Sequence, residues 1–186
     1  MKMRLMFVAL LLLVVSLGVG FARKPQQKAS SCGFTVQAES GEPTIKGPDE
    51  LVPLVHVVDQ PDSPIEVVSV DLTGMWLSIS HERTTEHFCE KYRVRNRSDR
   101  TVQGFEVMLM LATSGGAGGG SGTLGSSPLL PGQAVDVESC GISGGAGSAE
   151  NNYVRLLVYV EKVDFEDCHY KPSLRIPRSL NVRTVW

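Results

Sequence analysis

A surplus of either charge is the first thing this sequence lacks. Its formal net charge is −2, and losing the two basic residues Lys2 and Arg4 would bring it only to −4. That leaves no electrostatic footprint for nucleic acid or for an anionic membrane surface. Sustained 3.6-residue apolar periodicity is missing after the first segment, which argues against a helical bundle. No later stretch is long and apolar enough to span a bilayer. Catalytic signatures are absent as well. The serines at Gly120-Ser121-Gly122 and Gly125-Ser126-Ser127 lie in glycine-rich sequence without the G-x-S-x-G strand-to-helix elbow, so they read as linker serines. Residues 114–122 carry no G-K-[S/T] and no following helix, which excludes a phosphate-cradling loop. Carboxylate pairs such as Glu161 with Asp164 read as a solvated rim rather than an acid/base pair. The expectation is a non-enzymatic protein with no catalytic residues and no cofactor.

What is present begins with an export-signal pattern over residues 1–22: basic Lys2 and Arg4, an unbroken apolar run over 5–15, then small residues around Gly20 and Ala22. Cleavage near Ala22 is expected, with an uncleaved anchor as the rival reading. Once this segment is removed, no membrane span remains. All four cysteines, Cys32, Cys89, Cys140 and Cys168, lie beyond it. An even number in an oxidising compartment points to two disulfides, and the sequence alone permits three pairings. No C-x-x-C redox motif and no zinc-ribbon spacing occurs.

At 186 residues the chain is long enough for one sizeable core and short for two. Residues 23–33 read as a flexible tether, 34–180 as the folded domain and 181–186 as a tail. Alternating apolar residues predict strands near 65–72, 75–80, 88–94, 102–111, 135–140 and 153–165. At 65–72 strict alternation sets Ile65 and Val67 on one face with Val70 and Leu72 on the other. Over 88–94, Phe88, Tyr92 and Val94 are expected inward, with Lys91, Arg93 and Arg95 outward. Both faces of 102–111 are apolar, which predicts a central strand whose second face is covered. Asn96-Arg97-Ser98-Asp99-Arg100 reads as a hairpin turn. Residues 114–127 hold seven glycines and 141–152 hold four, and both stretches are expected to be flexible loops. Seven or eight short strands with turn signals between them predict an all-β, immunoglobulin-like antiparallel sandwich.

The pattern Val94-Arg95-Asn96-Arg97-Ser98, then Val102, Phe105 and Val107, then Leu130-Pro131-Gly132-Gln133, resembles the bacterial extracytoplasmic sandwich domains of the FxLYD and related immunoglobulin-like type. The resemblance covers about residues 86–165. After Phe105 the chain reads Glu106-Val107-Met108-Leu109, without the Leu-Tyr-Asp of that name. It implies an exported structural or binding module and carries no functional residues across. If the strands at 88–94 and 135–140 are antiparallel neighbours, as the second and fifth strands are in immunoglobulin-like sheets, Cys89 faces Cys140. Cys32 is then left to pair with Cys168.

His81, Glu82, Glu86, His87 and Cys89 form the densest chemical cluster, and His169 would join it if the chain brought it near. A metal site on His81, His87 and His169 is therefore the alternative function, although the spacing is not H-E-x-x-H. The plainer reading is a charged loop with solvated histidines. Asn96-Arg97-Ser98 is also a glycosylation sequon, read first as a turn former. The expected partner is a protein, met through a sheet edge or the loop-bearing end.

Overall fold

A computed structural model describes residues 28–29, 32–37, 41–49, 51–79, 84–113, 116–145 and 153–176. Twelve strands and one 3-10 turn, Val52–Leu54, are formed there. The strands are β1 (Lys28–Ala29), β2 (Phe34–Thr35), β3 (Thr44–Lys46), β4 (Val55–Val57), β5 (Ile65–Asp71), β6 (Trp76–Ile79), β7 (Thr84–Asn96), β8 (Gly104–Thr113), β9 (Gly116–Gly125), β10 (Ala134–Gly145), β11 (Tyr153–Asp164) and β12 (His169–Tyr170). Among these residues no helix is long and apolar enough to cross a membrane.

The strands make an all-β sandwich. One sheet runs β10-β7-β5-β3, with β6 continuing along the same edge of β7 as β5. The other runs β9-β8-β11, and β4 and β12 share the far edge of β11. Long ladders are antiparallel, whereas the short edge pairs β3 with β5 and β4 with β11 are parallel, so both sheets are mixed. Edge β9 lies beside edge β10 and β11 lies against β5, which sets the sheets face to face.

Apolar alternation explains the core. Tyr92 and Val94 of β7 meet Phe105, Val107 and Leu109 of β8 and Leu156, Val158 and Val160 of β11. On β5 the expected alternation breaks earlier than the Thr73-Gly74 turn. A register shift between Val67 and Ser69 puts Ile65, Val67, Val70 and Leu72 all in the core. A bulge inserts one residue and flips the side-chain phase, so residues of both parities reach the same core.

The outer face of the β8 sheet is covered, as its apolar residues require. Met110, Leu157, Tyr159 and Val58 form a second cluster against Leu174 and Ile176, from the segment after β12. Asp62 pins that segment, accepting bonds from the Tyr170 hydroxyl at 2.7 Å and the Ser173 amide at 2.9 Å.

Four expected turns, loops and tethers are otherwise in the structure. The stretch after Asn96 is not a hairpin turn but a crossing between sheets. Both edges of β7 are taken, one by β10 and the other by β5 and β6, so β8 has to pair elsewhere. The glycine-rich stretch 114–127 is not a loop: β9 pairs with β8 from Phe105↔Gly125 to Thr113↔Gly116. A ladder is made of backbone bonds and needs no side chains, and here bare backbone makes room for the neighbour. A Cβ on Gly125 would lie 2.1 Å from the Phe105 ring. Within 141–152, β10 likewise runs on to Gly145, and in the expected tether Lys28–Ala29 pairs with β2.

Candidate functional site

The glycine-rich edge is where sequence, packing and chemistry converge. Position by position, β7 presents Tyr92 and Val94 to the core, and the same parity puts Glu90 there too. Its carboxylate is fully buried, an expensive placement unless it is hydrogen-bonded. The bonds come from β9. The Ser121 hydroxyl donates to the carboxylate at 2.7 Å and the Thr123 hydroxyl at 3.0 Å. Ser121 is therefore a structural partner on a strand, not a linker serine.

Burial pushes the Glu90 carboxyl pKa up, and the hydroxyl bonds only partly oppose this. Burial also pushes the Tyr92 phenol up, as does the nearby Glu90 charge. The phenol therefore stays protonated and lies close enough to favour the Glu90 carboxylate, although its buried oxygen makes no well-formed bond. The carboxylate faces the core between the two sheets. Its effect is mechanical: it ties a strand poor in side chains to the opposite sheet.

Seen from solvent, β9 offers ten residues, GAGGGSGTLG, without charge or proline. Among the described residues it forms a ladder only with β8, and its other edge, beside β10 of the facing sheet, is in no ladder. Leu124 projects from it with 73% of its surface exposed. The other outer strands are different. β3 and β4 are three residues long and β12 is two. β10 is twelve residues long but exposes Asp136 and Glu138, held by Arg93 and Lys91.

Of the predicted metal residues, two are placed, on different sheets. His81 lies outside the described residues. His87 is on β7, opposite Trp76 and Ile142 in register, and its side chain is likewise outside the description. His169 is on β12 at the rim of the other sheet, with Nδ1 2.5 Å from Asp164 Oδ1. The structure therefore does not bring His87 and His169 together. Donor atoms of Cys89, Cys140 and Glu138 lie within 4.8 Å of one another, but a disulfide consumes both sulfurs. Lys91 holds the remaining carboxylate at 3.2 Å.

The four cysteines form two disulfides, and one of them follows from the strand order. Cys89 and Cys140 are direct cross-strand partners with Cα atoms 4.1 Å apart, and Cys32 joins Cys168 across a separation of 136 residues. Two such bonds fit an oxidising environment.

The sequon is a buried hub. Asn96 is fully buried, its Nδ2 donating to the Arg100 and Leu129 carbonyls at 2.8 Å each while its Oδ1 accepts from Ser98. With both amide protons engaged, the folded chain offers no nitrogen for a glycan. Leu130-Pro131-Gly132-Gln133 packs against it. Gly132, at φ 76°, supplies the left-handed position of a type II turn and donates its N–H to the Asn96 carbonyl.

Glu90, Ser121, Thr123 and Arg97 were not expected as site residues. Only Glu90 carried a signal, a carboxylate at a core position of an alternating strand. The chain matches no known family model, no curated protein and no solved structure.

Proposed function

We propose that the chain is an exported, non-enzymatic binding module whose protein partner adds an extended segment to the free edge of β9. The observation that supports this is a ten-residue edge strand that carries neither charge nor proline, two of the usual guards. Strand addition draws affinity from main-chain bonds, for which a glycine-rich edge gives unobstructed access. Glu90 supports the reading by holding β9 in place, which lowers the entropy a partner has to overcome. Export is supported by the two disulfides together with the signal pattern of residues 1–22. That pairing of features supports a secreted or periplasmic location.

The test is a photo-reactive residue placed at Leu124 on β9, with a control at Glu138 on β10, in cells that secrete the chain. Strand addition predicts an adduct from position 124 that is lost when Gly122→Lys puts a charge on the edge. A partner captured equally from both positions, or unaffected by the lysine, would refute it.

A further inference from the structure

On the opposite side of the sandwich, away from β9, Arg97 has an uncommon environment. Only 6% of its surface is exposed, and a buried arginine is ordinarily paired with an acid. Here it is held by main chain instead. Nε donates to the Ser63 carbonyl at 2.7 Å and Nη2 to the Gln60 carbonyl at 2.6 Å. Of the neighbouring acids, Glu66 pairs with Arg95 at 2.7 Å and Asp62 Oδ2 accepts from Tyr170 and Ser173, while Asp62 Oδ1 is buried without a partner. Arg97 Nη1 finds no acceptor among the described residues, yet it is not among the sealed, unpaired polar atoms. Arg97 lines a cleft of 280 Å³ together with the apolar residues Val58, Ile65, Val67 and Val160 and with Glu66.

We propose that this cleft binds a carboxylate carried on a small apolar group, the anion meeting Arg97 Nη1 and the apolar body lying against Val67 and Val160. A guanidinium edge suits a carboxylate, and attraction strengthens where water is excluded. The volume sits just below the usual range for ligand pockets, about 300–1,000 Å³, which limits the guest to a short chain or a single residue. Glu42 and Asp59 stand exposed on the rim, where solvent screens their repulsion. A free short-chain acid and the C-terminal residue of a peptide present the same chemistry.

The full mature chain would be titrated with isovalerate, with isovaleramide, and with a tripeptide ending in valine as free acid or amide. Methyl NMR signals of Val67 and Val160 would report binding. The free carboxylate should bind at least about tenfold more tightly than its amide. Asp59→Asn, an exposed change away from the fold's bonds, should strengthen binding about two- to threefold, more at low salt. Binding of only the peptide or only the free acid identifies the source, and binding of both supports the shared chemistry. Equal binding of acid and amide, or no movement of either valine by any carboxylate, overturns the assignment. Arg97→Lys serves as a second variant: it should weaken the carboxylate while leaving any amide binding unchanged.

Discussion

The Ser121 hydroxyl lies 2.7 Å from one carboxylate oxygen of Glu90 and 2.8 Å from the other, and so joins the glycine-rich edge of one sheet to the central strand of its neighbour. The pH dependence follows from the direction of the Glu90 shift. Its folded pKa stands above the ordinary 4.5, because burial disfavours the charged form. As pH rises, the unfolded chain loses this proton first. The Glu90 contribution is therefore fully present below 4.5 and is lost as pH climbs through the folded value. Glu90→Gln should raise the Tm at neutral pH by about 2–4 °C, equivalent to about 1 kcal/mol in a chain of this size. The gain should shrink towards zero at acid pH. A gap that is constant with pH, or largest in acid, would count against a raised pKa.

Glycines on β9 should differ sharply in tolerance. At Gly125 a Cβ would strike the Phe105 ring at 2.1 Å, and that ring is locked in the core. Gly125→Ala should cost about 2–4 kcal/mol through overpacking. At Gly122 the nearest atom is the Glu106 Oε1, the end of a flexible side chain. Gly122→Ala should cost less than about 1 kcal/mol. Urea melts of the two variants make the comparison, and equal losses would mean that the ring does not lie over β9.

One atom decides the Asn96 hub. Asn96→Asp replaces the NH₂ that faces two carbonyls with an oxygen, turning two buried bonds into repulsion. The loss should be about 3 kcal/mol or more, the range seen when a buried polar network is broken. Near-wild-type stability would show that these bonds carry little.

These residues also mark how far the sequence is legible. Alternation reveals the strands, and Tyr92 and Val94 lie inward as their spacing requires. The same alternation assigns Glu90 inward, but its partners sit on a strand whose register no composition rule supplies. Residues 114–127 look too poor in side chains to offset ordering, yet the apolar surface that anchors β9 belongs to β8, chiefly Phe105. Asn96 and Ser98 announce a turn. Whether that turn stays in one sheet or crosses to the other is decided by β5, β6 and β10 filling both edges of β7, a non-local fact. Arg97 gives no local sign at all, since its partners are main-chain carbonyls of the 60–63 turn.

The two disulfides should open in a fixed order. Cys140 is exposed and Cys89 partly so, both on the outer face of their sheet, whereas Cys32 is only 4% exposed and Cys168 packs against the core. Exchange needs an attacking thiolate to reach a sulfur in line, so access governs which bond yields first. Limiting dithiothreitol followed by alkylation and mass spectrometry should label Cys89 and Cys140 well before Cys32 and Cys168. Stability should rank the other way. In the chain-entropy view, separations of 51 and 136 residues correspond to about 4 and about 5 kcal/mol. The larger closure also fixes the segment carrying Phe34, whose ring stacks on Phe165 with centroids 5.2 Å apart. Replacing Cys32 and Cys168 with serine should thus lower the Tm more than replacing Cys89 and Cys140. Labelling of Cys32 first, or a larger loss from the outer-face pair, would place the stabilising constraint at β7 and β10 instead.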